Sequence, residues 1–264
     1  MLGLVAGGGL LPVYFCKNAK RDGKKVITIA IKNEADKSLA GYSKEIFWFD
    51  IGDFGLAIKT FKKLGITKAC IVGKVRKVRL FSALKPDMRL FKLFMSLRNK
   101  KDSTLIQAVI KEFEKEGIKI LPMTIYLKPL LAKKGVLTKR KPSREEIEDI
   151  KYGFKEAKKL ADSDIGQTVI VKNKKIITAE GIEGTDAAIK RGGLLAKGGA
   201  VCVKAARTKQ DMRIDIPGAG VETIKQLAKA GIKCLAVQSG KMFLIDKNKI
   251  KKEADKNKIC VVIF

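Results

Sequence analysis

Six residues, Gln210-Asp211-Met212-Arg213-Ile214-Asp215, bring two carboxylates and a guanidinium together, and Ile216-Pro217-Gly218-Ala219-Gly220 follows them. In an extended segment, residues two apart project from the same face, so Arg213 and Asp215 would stand side by side with Asp211 beside them. Acids of this kind hold a metal or polarise a water, and an arginine fork holds phosphate oxygens. The same residue types also make an ordinary ion pair on an edge strand entering a turn, and the spacing alone leaves both readings open.

A second polar set lies upstream. Gln167, Glu180, Glu183, Thr185, Asp186, Arg191 and Lys204 fall within a short span, several of them beside glycines. Acid, glycine and a helix start are the usual parts of a phosphate or metal–phosphate site. A helix is expected to begin near Thr185, capped by Thr185 together with Asp186. Near the N-terminus, Gly7-Gly8-Gly9-Leu10-Leu11-Pro12 has proline where the third glycine of a dinucleotide fingerprint belongs, so the fingerprint fails. What remains is a glycine turn between strand and helix. Such a turn either lets a phosphate approach or simply turns tightly with nothing bound.

The chain has 264 residues and no histidine. That excludes Ser-His-Asp and Cys-His nucleophiles and histidine-ligated metals. Acid–base work then falls to Asp, Glu, Lys, Tyr or a metal-bound water, and oxygen-only ligation favours Mg²⁺ or Mn²⁺. The five cysteines, Cys16, Cys70, Cys202, Cys234 and Cys260, are widely spaced in apolar surroundings and form no CxxC. They read as buried free thiols of a reducing cytoplasm. The formal charge of +29 attracts polyanions or an acidic membrane surface, although lysine is scattered over the whole chain, as on ordinary solvated faces. No apolar run reaches the ~18 residues of a membrane span, and the apolar N-terminus lacks the basic start of a signal peptide.

These residues need a scaffold. Apolar runs at 2–6, 26–31, 45–49, 69–72 and 118–121 alternate with helical patterns at 10–20, 55–64 and 104–116. Continuous apolar strands alternating with helices indicate a parallel sheet covered on both faces, so residues 1–130 read as a Rossmann-like α/β domain. A hinge is placed at about 129–136, and residues 136–264 form a mixed α/β catalytic domain. There Ser143 and Glu146 make a capping box for a long helix, and residues 168–171 and 176–179 make a hairpin about a polar turn.

Five blocks occur in one order: Gly3-Leu4-Val5-Ala6-Gly7-Gly8-Gly9-Leu10-Leu11-Pro12, Gly135-Val136-Leu137-Thr138, Asp164-Ile165-Gly166-Gln167, Ala179-Glu180-Gly181-Ile182-Glu183-Gly184-Thr185-Asp186 and Gln210-Asp211-Met212-Arg213-Ile214-Asp215-Ile216-Pro217. Together they resemble the LpxI-type UDP-2,3-diacylglucosamine pyrophosphatases over nearly the whole chain. The resemblance implies hydrolysis of the pyrophosphate of UDP-2,3-diacylglucosamine to UMP and 2,3-diacylglucosamine 1-phosphate, in lipid A synthesis in a Gram-negative bacterium. It also implies two domains with the substrate between them, a divalent cation, and a cytoplasmic enzyme working peripherally at the inner membrane. On that match Asp215 is the first candidate for the essential acid and metal ligand, Asp211 the second, and Arg213 their catalytic partner. The substrate-binding candidates are Gly8, Gly9, Leu11, Gly73, Lys74, Thr138, Gln167, Glu183, Thr185, Asp186 and Lys204. Gly73-Lys74-Val75-Arg76-Lys77 and Gly218-Ala219 depart from the family pattern. Two other functions remain in view. One is a basic nucleotide- or nucleic-acid-binding protein without catalysis; binding nucleic acid would need stacking aromatics, which here are few and dispersed, so no nucleic acid is expected. A nucleotide-sugar transferase would need an acceptor other than water.

Overall fold

The computed structural model describes residues 1–75, 86–97 and 102–264. Arg76 and Lys77 of the departing loop lie outside them. The chain forms two compact units: residues 1–129 with 211–215, and residues 130–210 with 216–264.

In the first unit, strands β1 (Leu2–Ala6), β2 (Val26–Ile31), β3 (Glu45–Phe49), β4 (Lys68–Val72) and β5 (Lys119–Ile120) form one sheet in the order β3-β2-β1-β4-β5. Every pairing is parallel. Parallel strands need crossovers, and helices α1 (Leu11–Arg21), α2 (Phe54–Lys63), α3 (Met88–Ser96) and α4 (Asp102–Lys115) fall between the strands, with α5 (Thr124–Leu127) after β5. Alternation along β2 sets the two faces. Ile27 and Ile29 enter a core with Ile58 and Phe61 of α2 and Ile110 and Phe113 of α4. Thr28 points the other way, buried, and its hydroxyl meets Ser43 Oγ at 2.7 Å. Ile214 also belongs to the α2/α4 core. It comes from far along the chain, and burying such a side chain contributes about 1.5–3 kcal/mol.

The second unit has a six-stranded mixed sheet, β6-β13-β11-β9-β7-β8, and a parallel pair of two-residue strands, β10 (Gly218–Ala219) and β12 (Phe243–Leu244). The strands of the large sheet are β6 (Gly135–Val136), β7 (Thr168–Lys172), β8 (Lys175–Ala179), β9 (Val201–Lys204), β11 (Cys234–Val237) and β13 (Cys260–Ile263). Strands β9, β11 and β13 run parallel, and β6, β7 and β8 are antiparallel to their neighbours. Period-two alternation again sorts the core. Val201 and Val203 pack with Ile150 and Ala157 of α6 (Arg144–Asp162). Cys202 faces a larger core with Ile189 of α7 (Thr185–Ala196), Leu227 of α8 (Val221–Lys229) and Ile250 of α9 (Lys247–Lys256). All five cysteines are buried and free.

The capping box on α6 is complete, with Ser143 Oγ accepting from Glu146 N and the Glu146 carboxylate accepting from Ser143 N. The β7–β8 hairpin closes in two residues rather than four, because Lys172 and Lys175 pair across it. Asn173 and Lys174 both take positive φ, 51° and 56°, as a turn matched to the strand twist requires. Buried Asp149 on α6 holds that turn by accepting from Asn173 N at 3.0 Å and Lys174 N at 2.6 Å. Among the described residues no helix is long and apolar enough to cross a membrane.

Replacing Asp149 by alanine leaves two amides of a left-handed turn without their acceptor. The urea unfolding midpoint is expected to fall by the equivalent of about 2–3 kcal/mol. Asp149→Asn, which keeps one acceptor oxygen, is expected to lose less.

Candidate active site

The segment 211–215 is a turn, not the extended strand that the spacing suggests. The cause is Asp211. Its Oδ1 accepts from Arg213 N at 2.9 Å, and Ile214 N donates back to the Asp211 carbonyl at 3.3 Å, so the backbone curls over the acid. A short acidic side chain bonding its own backbone two residues on competes with a sheet ladder and here prevails. Asp215 therefore does not share a strand face with Arg213.

Arg213 closes over the same acid. Its Nη2 lies 2.8 Å from Asp211 Oδ2, and its Nε lies 3.1 Å from both oxygens. Helix α4 completes the cluster. Gln107 Nε2 donates to Asp211 Oδ2 at 2.8 Å, Gln107 Oε1 accepts from Arg213 Nη2 at 3.3 Å, and Glu114 lies 3.3 Å from Arg213 Nη1. Met123 N donates to the Met212 carbonyl at 3.1 Å. Burial pushes the Asp211 carboxyl up, but the hydrogen bonds from Arg213 and Gln107 outweigh it and hold the group below its usual value. The same pairing, only partly offset by burial, raises Arg213.

Two things follow inside the first unit. Ile214 is driven into the core, and Asp215 is left exposed with φ +46°, a left-handed conformation rare for any residue but glycine, asparagine and aspartate. Asp215 lies on the wall of a cavity of about 380 Å³ within this unit. Its lining is mostly apolar, with Ile29, Phe49, Phe54, Leu90, Phe113 and Ile214 contributing. The polar exceptions among the described residues are Asp215, Asp50, Asp53 and Lys74. Asp50 is paired with Lys32 Nζ at 2.8 Å, and Asp53 Oδ2 accepts from Asp50 N at 2.9 Å.

Gly73 and Lys74 reach this wall through a backbone clasp. Gly8 N donates to the Lys74 carbonyl at 2.7 Å and Lys74 N returns a bond to the Gly8 carbonyl at 3.0 Å. Gly73 has φ +101°, and a Cβ there would meet Gly7 backbone at 2.8 Å, so only glycine allows the two loops to close. The glycine run thus joins the ends of β1 and β4. Gly9 follows it, and Leu11 opens α1, whose first turn has no side-chain cap.

The second unit collects a different set. Lys204, only 6% exposed at the end of β9, donates from Nζ to Thr185 Oγ1 at 2.8 Å. Thr185 donates to Glu180 Oε1 at 2.9 Å, and Glu180 Oε2 accepts from Gln167 N at 3.1 Å. Thr185 consequently does not cap α7. The N-cap is Gly184, and neither Thr185 nor Asp186 bonds the first turn from that position, because the Thr185 hydroxyl is taken by Glu180 and Lys204. Asp186 sits exposed in that first turn, and Glu183 pairs with Arg191 at 2.9 Å. Thr138 stands apart from this set. It is buried, accepting from Val261 N at 3.0 Å and donating to the Arg140 carbonyl at 3.0 Å, so its hydroxyl ties β13 to the preceding loop.

Sequence reasoning omitted Gln107, Glu114, Asp50 and Asp53. Gln107 and Glu114 lie two turns apart on one face of α4, a pattern indistinguishable from a solvated helix until the turn is seen to dock there. As for a divalent cation, no group of three Asp, Glu or Cys side chains converges among the described residues. Asp211 has both oxygens occupied by Arg213 and Gln107 and does not suit a ligand role. Asp215, exposed on the cavity wall, suits one carboxylate position in a shell otherwise made of water and phosphate oxygens, as Mg²⁺ prefers.

The depressed Asp211 pKa fixes a pH dependence. A carboxylate stabilised in the fold contributes stability above its unfolded value, and the contribution disappears as pH falls through the lower folded value. Asp211→Asn is expected to lower stability by about 1–2 kcal/mol near neutrality. The gap to the parent chain should stay constant down to about pH 4 and close below it, read from urea midpoints across pH.

Residues 1–130 match the LpxI N-terminal domain and residues 133–262 the LpxI C-terminal domain. The UDP-2,3-diacylglucosamine pyrophosphatase LpxI of Caulobacter vibrioides is 32% identical over 265 aligned positions, covering 96% of this chain and 94% of that protein. Solved structures align far less closely. A UDP-glucose-4-epimerase from Stenotrophomonas maltophila gives a TM-score of 0.29 at 11% identity, over 44% of this chain and 33% of that one. The biotin carboxylase subunit of pyruvate carboxylase gives 0.29 at 14% identity, over 64% and 34%. Neither structural likeness carries an argument. The two domain matches and the full-length relative do, and the chain belongs to the LpxI family.

Proposed function

We propose that the chain hydrolyses the pyrophosphate bond of UDP-2,3-diacylglucosamine, giving UMP and 2,3-diacylglucosamine 1-phosphate for lipid A synthesis. Family membership and the full-length pyrophosphatase relative support this reading. The observation that carries it within the structure is the placing of Asp215 and Lys74 on the wall of a mostly apolar cavity. A hydrocarbon chain suits that lining, and a pyrophosphate suits its polar edge.

Asp215 is the general base in this reading. Ionised, it accepts the proton of the water that attacks phosphorus, so that one P–O–P bond and one water become two phosphate monoesters. Lys74 offsets the charge that builds on the phosphate oxygens. Asp211 and Arg213 are positioning residues, because their charges are spent on one another and on Gln107 and Glu114. Their work is to hold the turn that presents Asp215. A divalent ion, Mg²⁺ or Mn²⁺, would be held by Asp215 and would neutralise pyrophosphate charge when bound. The left-handed backbone at Asp215 costs on the order of 1 kcal/mol, and strained residues of this kind concentrate where chemistry requires them.

Asp215→Asn keeps the shape, and asparagine tolerates the left-handed backbone, but it removes the base. UMP release from UDP-2,3-diacylglucosamine is expected to fall about 10²–10⁴-fold with the unfolding midpoint unchanged. Near-normal turnover in that folded variant would remove Asp215 from this role. Release of UMP only when a second acceptor is supplied would instead favour a transferase.

A further inference from the structure

Helix α3 (Met88–Ser96) has two apolar faces, and one of them is left largely exposed among the described residues. Leu90 and Leu93 are buried, and Leu90 lines the apolar cavity. Met88, Phe91 and Met95, spaced i, i+3, i+7 on the opposite face, are 67%, 50% and 73% exposed. Leu56, on the neighbouring helix α2, is 48% exposed beside them. A monomeric surface rarely leaves four large apolar side chains together in water without use.

The charges around this ridge select its partner. Lys59 and Lys92 border it and enter no ion pair among the described residues. The acid of this rim, Asp87, is turned inward, accepting from Gly55 N and from Leu90 N. Arg89 is turned the other way, onto Glu112 at 2.8 Å and Glu116 at 2.7 Å of the α4 side. That anchorage fixes the rotation of α3, so the Met–Phe–Met face is held outward rather than free to roll into the core. The ridge is thus apolar at its crest and cationic at its edge, on a chain of net charge +29. An interfacial helix on an anionic bilayer has this composition: large apolar residues enter the acyl boundary while lysines stay at the phosphate level.

We propose that the face of α3 formed by Met88, Phe91 and Met95, with Leu56, Lys59 and Lys92, rests on an anionic lipid surface. Its biological purpose rests on the reading of the substrate as a membrane lipid. The same helix that meets the bilayer on one face closes the apolar cavity with Leu90 on the other. An acylated substrate leaving the bilayer along this helix would then remain beside apolar side chains instead of crossing open water.

The test uses the full chain and vesicles that contain no substrate. Flotation is compared on phosphatidylglycerol mixed with phosphatidylcholine and on phosphatidylcholine alone. The parent chain is expected to float with the anionic vesicles and far less with the neutral ones. The triple variant Met88→Ser, Phe91→Ser, Met95→Ser is expected to bind about tenfold more weakly, since three apolar insertions are lost from side chains that are half exposed or more. Lys59→Gln with Lys92→Gln is expected to weaken binding and flatten its salt dependence. Equal flotation of parent and triple variant overturns the proposal, because the charge of the whole chain would then suffice. Self-association without lipid that the triple variant abolishes also overturns it, in favour of a second copy of the chain. Turnover of detergent-dispersed substrate is measured separately. A chain that hydrolyses in detergent but never floats defeats this proposal alone. One that floats by its α3 face but hydrolyses nothing supports the surface contact and defeats the functional reading.

Discussion

The carboxylate of Asp211 is the point on which the candidate site depends. It accepts from its own backbone at Arg213, from the guanidinium of Arg213 and from the amide of Gln107. A carboxylate with that many donors cannot be moved without stranding several of them, and stranding a charged hydrogen-bonding group costs more than the bonds contribute when intact. The curl of the backbone, the burial of Ile214 and the left-handed residue after it are consequences of satisfying this one acid. Asp215 owes its position to a neighbour four residues earlier and to a helix about a hundred residues away in sequence.

Within the second unit a similar economy holds around Lys204. Lys204 is almost wholly buried, and its ammonium is met by the Thr185 hydroxyl, which in turn donates to Glu180. A buried lysine needs a partner, and this relay provides a carboxylate at one remove. The loop carrying Glu180 to Thr185 is therefore tied to the end of β9, and α7 begins from glycine rather than from a side-chain cap. Thr138 is a parallel case, since its hydroxyl satisfies Val261 N and the Arg140 carbonyl.

Much of the scaffold was legible because apolar runs have one period per element type. The five strands of the first unit and the α6 capping box follow from residues close in sequence, and they appear where local pattern puts them. The turn at 211–215 was not legible, because Asp-x-Arg serves an extended ion pair and a curled one equally well, and the deciding residues, Gln107 and Glu114, sit on α4. Thr185 was read as a cap because threonine before a helix usually is one. The buried ammonium of Lys204, which claims its hydroxyl, lies nineteen residues further on. The apolar cavity was invisible for the same reason: its lining comes from residues between Val5 and Asp215, each of which reads locally as core.

The discontinuity of the first unit has a consequence for the birth of the protein. Its sheet and helices are complete by residue 129, yet Ile214 of its core comes only with 211–215. At about 5–20 residues per second on the ribosome, several seconds of synthesis separate the two. During that interval the nascent first unit presents an unfilled apolar socket, while most of the other unit's chain is still emerging. The proposed catalytic carboxylate arrives with the residue that seals the core, so a chain cut short before it would carry a sheet and helices but no Asp215.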